Sequence, residues 1–235
     1  LALWLYTRPL EPAQDWLTEK FARKPAIRDA NLKALKAGYF FGETTEVFAA
    51  RYEVAPATLA PGTYRAIKGN DALALGLVAA KVKSGLDLVY GTYPITPASD
   101  LLHALSKYKD FGIRTVQAED EIAAIGVALG TAFGGHLGVT GTSGPGLALK
   151  TEFLGLALMT ELPLVLIDVQ RAGPSTGRPT KTEQADLLMA VYGRNGDGPL
   201  PFIAASSPGD CYEVAYEACR IAVKYMTPVI VLSDG

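Results

Sequence analysis

The stretch Leu162-Pro163-Leu164-Val165-Leu166-Ile167-Asp168-Val169 decides the fold. It reads as apolar throughout instead of alternating with polar residues, the pattern of a parallel strand covered on both faces. Working outward, strand, helix and turn signals alternate from Asn70 onwards. The expected strands lie near 86–90, 113–117, 137–141, 163–169, 201–205 and 228–232. The expected helices lie near 70–84, 97–108, 119–133, 146–160, 182–192 and 208–226. Asn70 is expected to cap the first of these helices and Gly85 to stop it. Regular alternation of this kind predicts an α/β fold: a doubly wound parallel sheet with helices on both faces and right-handed crossovers.

Ahead of this pattern, residues 1–52 read as mixed helix, with apolar residues three and four apart over 13–21 and 31–38, and with Gly38 as a stop. Residues 53–69 hold two prolines and little periodicity and read as a linker. The expected organisation is therefore 1–69, the end of a preceding domain plus linker, and 70–235, the α/β domain. The chain starts without Met, which suggests a fragment or a processed piece.

The 235 residues are 49% hydrophobic and 20% charged, with a formal charge of −2. That is an ordinary globular composition. Its near-neutral balance gives no electrostatic reason to expect a nucleic acid or a membrane surface as partner. No apolar run is long enough to span a bilayer, and the start has neither the apolar core nor the cleavage site of a signal peptide. Cys211 and Cys219 fall in one expected helix, eight apart, where they cannot bridge each other. They suggest a reducing, cytoplasmic compartment and packed thiols. His103 and His136 are isolated, so no metal site is expected on this chain.

Four segments follow expected strands, at the carboxyl ends where open α/β sheets place their ligands. Tyr93-Pro94-Ile95-Thr96-Pro97 is a stiff strand-to-helix loop in which Thr96 is read as the helix cap and Pro97 as the first helical residue. Taken alone it is as readily an ordinary proline-rich turn. Glu119-Asp120-Glu121 opens the 119–133 helix, where acids favour the positive end of the helix dipole; surface capping accounts for Glu119 and Asp120. Glu121 differs, because Ile122, Ala123, Ala124, Ile125 and Gly126 follow at once. A carboxylate at the edge of such a run is expected to be partly desolvated and able to share a proton, and Gly126 to admit another backbone or a flat ring.

Gly141-Thr142-Ser143-Gly144-Pro145-Gly146 is either a phosphate cradle or a close-packing turn; it matches neither a Walker loop nor a dinucleotide fingerprint. In the loop from Gln170 to Lys181, Arg171 and Arg178 are candidates to grip a carboxylate with paired donors, against the alternative of two solvated surface arginines. Gly196-Asp197-Gly198 has no asparagine after it and runs into Pro199, so it reads as a turn and not as a metal-diphosphate site.

Together, YPITPAS (93–99), QAEDEIAAIG (117–126), TSGPGLALK (142–150), TELPLVLIDVQRAGPSTGRPTKTEQADL (160–187) and KYMTPVIVLSDG (224–235) resemble the pyrimidine-binding domain of 2-oxoacid:ferredoxin oxidoreductases, closest to the α subunits of the 2-oxoglutarate type. The resemblance covers 70–235, and 1–69 resembles the end of the γ domain that many relatives carry ahead of α.

The resemblance implies thiamine diphosphate shared between chains. The β subunit would hold the diphosphate, its magnesium and an iron–sulfur cluster, coenzyme A would accept the acyl group, and ferredoxin would take the electrons. It implies that Glu121 shares a proton with the aminopyrimidine ring, with Glu119 as the other register. It further implies that Pro94, Ile95 and Gly126 help to hold the cofactor. Thr96, Tyr93, Arg171 and, more weakly, Arg178 would face the substrate. Pyruvate or branched-chain 2-oxoacids are the other substrates to weigh, and a non-catalytic structural domain of such a complex is the other role. A nucleotide-binding Rossmann module fails for want of its glycine fingerprint.

Overall fold

The computed structural model describes all 235 residues, which divide into two compact units, Leu1–Tyr64 and Arg65–Gly235. The first unit holds α1 (Ala2–Leu5), α2 (Glu11–Lys20) and α3 (Pro25–Thr44). Gly38 does not stop a helix: α3 runs through it for six more residues, to Thr44. The glycine that packing needs there is Gly42, where a Cβ would fall 2.6 Å from the Trp4 ring. Trp4 also packs against Phe48 and lies under the Arg51 guanidinium, 4.9 Å from ring centroid to the cation.

The second unit runs α4 (Gly69–Ser84), β1 (Leu88–Thr92), α5 (Ser99–Leu105), a 3₁₀ turn (Ser106–Phe111), β2 (Ile113–Gln117), α6 (Glu121–Phe133), β3 (Leu137–Thr142), α7 (Pro145–Ala148), α8 (Thr151–Met159), β4 (Leu164–Val169), α9 (Leu187–Tyr192), β5 (Phe202–Ala204), α10 (Pro208–Tyr225) and β6 (Pro228–Ser233). The six strands form one sheet, in the order β2-β1-β3-β4-β6-β5, with every pair parallel. This is the doubly wound sheet expected from the sequence. The winding reverses between β1 and β3, and the crevice beyond their carboxyl ends is the switch point where such sheets bind ligands.

The apolar strands separate into two faces by their period of two. Val165, Ile167 and Val169 of β4 join Leu88, Tyr90 and Val139 in a core covered by α4, α5 and α10. Leu164 and Leu166 turn the other way, into a core built with Ile125 and Ala128 of α6, Leu147 of α7, Leu154 of α8 and Ala190 of α9. The same parity puts Tyr93, Thr140, Thr142 and Asp168 on this second face, the face that α6 covers.

Local sequence explains most of the element ends. Gly85 stops α4 in the left-handed region, at φ 72°. Asp120 caps α6, its carboxylate accepting from the Ala123 amide at 2.8 Å, and Ser207 caps α10 in the same way at Asp210. Three expectations are corrected. Asn70 is not a cap: α4 already includes it, Lys68 precedes the helix, and the Asn70 side chain is buried. The single helix expected over 146–160 is broken into α7 and α8 at Leu149 and Lys150, where the chain turns Lys150 inwards. The helix expected from 182 begins only at Leu187. Before it, Glu183 accepts from the Gly173 amide and Gln184 donates to Asp234, so these side chains tie a loop instead of forming a first helical turn. No helix is long and apolar enough to cross a membrane.

Helix α6 lies directly on β1 and β3. A Cβ at Gly91 would stand 2.5 Å from the Ala124 carbonyl oxygen, and one at Gly138 would run into the Ala128 carbonyl. Gly138→Ala should therefore lower stability by about 3 kcal/mol or more, since backbone cannot move aside as a flexible side chain does. Gly130→Ala, on the same helix but facing open space, should raise stability by up to ~1 kcal/mol through helix propensity. Urea midpoints of the two variants check this, and equal effects would show that α6 does not depend on these close approaches.

Candidate functional site at the switch point

Three strand ends and one helix start meet at the switch point. Tyr93 follows β1, is buried, and its hydroxyl shares a 2.8 Å hydrogen bond with Thr142 Oγ1 at the end of β3. This bond spans the crevice between the two strands. Burial pushes the Tyr93 phenol well above its ordinary value, with the charge of Glu121 adding to the push and the Thr142 bond opposing it. Gly146 completes the corner: a Cβ there would collide with Thr142 Oγ1 and Tyr93 Oη and lie 3.3 Å from Glu121 Cγ. So the Gly144-Pro145-Gly146 turn is a close-packing turn that brings α7's backbone against three side chains.

Behind this corner lies Lys150, fully buried. Its Nζ donates to the Glu121 carbonyl at 2.9 Å and to Thr140 Oγ1 at 3.1 Å, and stands 5.0 Å from the Tyr93 ring centroid. Burial lowers its pKa to about 7, with the charges of Glu121 and Asp120 pulling part of the way back. Lys150 thus fixes the first residue of α6 from within. Glu121 itself is partly exposed, beside Ile122, which is 50% exposed. The carboxylate thus stands at the edge of an apolar helix face, partly open to solvent.

The second group of residues sits across the β4 end. Arg171 is buried, at 6% exposure, and its Nη1 donates to the Thr96 carbonyl at 2.7 Å. Gly144, held at φ 49°, lies against its stem, a Cβ there reaching 3.3 Å from Arg171 Cγ. Arg171 is therefore no solvated loop arginine. Arg178 is exposed and its side chain makes no hydrogen bond; only its backbone returns to the site, through the amide bonded to the Ala172 carbonyl at 3.0 Å. A cleft of about 450 Å³ opens beside Arg171, with Gly144, Pro145, Glu183, Asp186 and Met189 on its walls.

The YPITP loop is built differently from its expected form. Thr96 does not cap a helix and Pro97 is not a first helical residue, because α5 starts at Ser99. Ser99 Oγ ties the loop instead, accepting from the Ile95 amide at 3.0 Å and donating to the Ile95 carbonyl at 2.9 Å. That leaves the Thr96 carbonyl for Arg171. Pro94 and Thr96 are exposed at the crevice and Ile95 is half-buried. Gly126 faces Phe153 of α8, where a Cβ would sit at an ordinary 3.6 Å, so packing within the chain does not call for glycine there. Gly196-Asp197-Gly198 lies apart, on an irregular segment, with the Gly198 carbonyl held by Arg194 at 3.0 Å. A separate cavity of about 280 Å³ between α4 and α10 opens near Leu137, at the amino end of β3, and shares no residue with the site. No group of three histidine, cysteine, aspartate or glutamate side chains is placed to hold a metal ion.

A crevice at the switch point of a doubly wound sheet, with a carboxylate at a helix start and a buried arginine across from it, defines a cofactor-binding domain of the open α/β class. The model of the pyruvate flavodoxin/ferredoxin oxidoreductase family, thiamine diphosphate-binding, matches residues 80–235, and the chain belongs to this family. It is 63% identical, over its whole length, to the 2-oxoglutarate oxidoreductase subunit KorA of Mycobacterium tuberculosis, covering 36% of that protein. It is 44% identical over 169 residues to the 2-oxoglutarate synthase subunit KorA of Archaeoglobus fulgidus, covering 72% of this chain and 47% of that one.

Among solved structures it resembles the 2-oxoglutarate:ferredoxin oxidoreductase from Magnetococcus marinus with 2-oxoglutarate, coenzyme A and succinyl-CoA bound. The TM-score is 0.77 at 37% identity, over 99% of this chain and 40% of that chain. The chain thus spans between about a third and a half of the length of these relatives.

Reading the sequence residue by residue missed Lys150. A lone lysine after Leu149 looks like any surface lysine, and only the break between α7 and α8 turns it inwards. The folded chain disfavours its charge, so folding releases a proton and stability rises with pH from about 7 towards the ordinary lysine value of 10.5. Lys150→Met should remove that rise, flattening the difference in urea midpoint between about pH 7 and ~10. An unchanged slope would mean that the amine is solvated.

Proposed function

We propose that this chain is the pyrimidine-binding part of a thiamine-diphosphate-dependent 2-oxoacid:ferredoxin oxidoreductase that converts 2-oxoglutarate and coenzyme A to succinyl-CoA and CO₂, passing two electrons singly to ferredoxin. The observation that carries this reading is the Glu121 carboxylate, set against Tyr93, Thr142 and Gly146 at the switch point, in a chain of a thiamine diphosphate-binding family. The names of the similar proteins support 2-oxoglutarate as the substrate. Pyruvate competes, because the family model carries that name.

Thiamine diphosphate, when bound, supplies the carbanion chemistry that cleaves the bond between the 2-oxo carbon and the carboxylate. Glu121 shares a proton with N1′ of its aminopyrimidine ring, Lys150 holding the start of α6 so that the carboxylate keeps its place. Pro94, Ile95 and the α6 surface around Gly126 form the wall for the ring. Arg171 orients the substrate's leaving carboxylate, and Thr96 and Tyr93 close that side; an arginine here must orient without over-stabilising a charge that departs as CO₂. Arg178, solvated in this chain, joins the site only if its loop closes on substrate.

Magnesium, the diphosphate site and the iron–sulfur cluster belong to a β subunit, and residues 1–69 to the end of a γ-like domain with its linker. The whole-length match to the mycobacterial protein, against 169 residues in the archaeal one, supports that leading segment.

The test is coenzyme A-dependent reduction of a low-potential dye by the complex purified with this chain, offered 2-oxoglutarate, pyruvate and 2-oxoisovalerate in turn. 2-Oxoglutarate should be preferred, the chain alone should be inactive, and Glu121→Gln should lower kcat by ~10²–10⁴-fold. A complex loaded with thiamine diphosphate but inactive with all three acids would overturn the reading.

A further inference from the structure

Asp168 is fully buried at the end of β4, and neither of its carboxylate oxygens has a hydrogen-bond donor; Asp186, at the start of α9, has a buried Oδ2 in the same condition. The two side chains face each other across the base of the 170–186 loop, the loop that carries Arg171. Two ionised carboxylates so placed repel each other and leave three acceptor atoms stranded. One proton between them removes the repulsion and pairs one oxygen of each, as a carboxylic acid donating to a carboxylate.

We propose that Asp168 and Asp186 share a single proton and that this acid–carboxylate pair pins the two ends of the loop together, holding Arg171 where it meets the substrate's carboxylate. This rests on the reading of Arg171 given above. Asp168 carries the proton. Burial raises its pKa well above the ordinary value, and the charge and hydrogen bond of Asp186 raise it further. Only the Gly144 amide opposes, pointing towards it without closing a well-formed hydrogen bond. Asp186 is the carboxylate, more open to solvent: burial raises its pKa too, but the hydrogen bond from Asp168 opposes this, with the charge of Glu183 adding to the rise and that of Arg171 subtracting.

These are the charged groups around the pair; β3 and β6 present Thr142 and Leu232 to Asp168 in register, both uncharged. Within the loop, backbone bonds from Ala172 to Lys181 at 2.8 Å and from Arg178 to Ala172 at 3.0 Å fold its tip. The tip therefore moves as a unit when the base opens. A proton held at raised pKa stabilises fully only below the ordinary carboxyl range. Its effect fades as pH climbs and is gone once Asp168 ionises.

Two readouts on the purified complex test this. The first is the rate of tryptic cleavage at Lys181–Thr182, an exposed bond in the loop, followed against pH without substrate and divided by trypsin's rate on an unstructured peptide at the same pH. The second is KM for the 2-oxoacid against kcat over the same range. In the natural chain, cleavage and KM should both rise with pH while kcat stays nearly constant. Asp168→Asn, whose amide still donates to Asp186 but cannot ionise, should be flat in both and match the low-pH form. Asp168→Leu should show fast cleavage and a KM about 10-fold or more higher at every pH. If Asp168→Leu does not fold, the comparison of the natural chain with Asp168→Asn still decides.

An Asn variant whose cleavage and KM follow pH as the natural chain does would overturn the proposal. Arg171→Met separates the two readings. An unchanged KM there sinks the role given to Arg171, whereas the cleavage profile continues to report on the carboxyl pair.

Discussion

Helix α6 sits on β1 and β3 at backbone contact because Gly91 and Gly138 have no side chain to hold it off, and the site depends on that approach. A helix resting on ordinary strand residues would stand further from the sheet, and its first residue would clear the strand ends. Here the first turn of α6 comes down beside Tyr93 and Thr142, so that Glu121 is held at the crevice by geometry that the core itself enforces. The small residues of α6, Ala124 and Ala128, are the other half of the same contact. Asp120 caps the helix at the point where Glu121 must begin it.

Around this contact the polar groups are arranged by face. Sheet parity puts Thr140, Thr142, Tyr93 and Asp168 beneath α6 and α7, within an otherwise apolar layer. Most of them are satisfied: Lys150 takes Thr140 and the Glu121 carbonyl, and Tyr93 takes Thr142. Of the buried polar atoms without a partner, both oxygens of Asp168, Oδ2 of Asp186, Nε2 of Gln170 and Nε of Arg171 lie at the base of one loop, while Asn70 Oδ1, Tyr90 Oη and Ser143 Oγ lie elsewhere. Buried polar groups without partners cost stability, and five of the eight such atoms gather at the base of the loop that carries Arg171.

Glu121 and Arg171 arrive at the crevice by different means. Glu121 stands on a rigid helix start, fixed by a cap, a glycine contact and a buried lysine. Arg171 stands on a long loop, fixed by one bond to the Thr96 carbonyl and by the loop's own base. The difference suits the roles proposed for them: a residue that tunes a cofactor needs constancy, whereas one that receives a substrate and lets a product go is better placed on an element that can open at modest cost.

The sequence by itself determined the sheet. An uninterrupted apolar β4 and regular alternation state the fold locally, since a strand covered on both faces takes an apolar pattern, and Gly85 ends α4 where the sequence places it, although Gly38 does not end α3. The placement of Glu121 at a helix start beside an apolar run was legible for the same reason, and that of Arg171 only as one of two loop arginines. What the tertiary structure decided were the partners. Lys150, Asp168 and Thr96 have neighbours 10, 18 and 75 residues away in the chain, at Thr140, Asp186 and Arg171. No local signal distinguishes Arg171 from Arg178 or shows that Ser99, and not Thr96, ties the YPITP loop. Burial, pKa and pairing belong to the space between elements, and that space exists only once the sheet has folded.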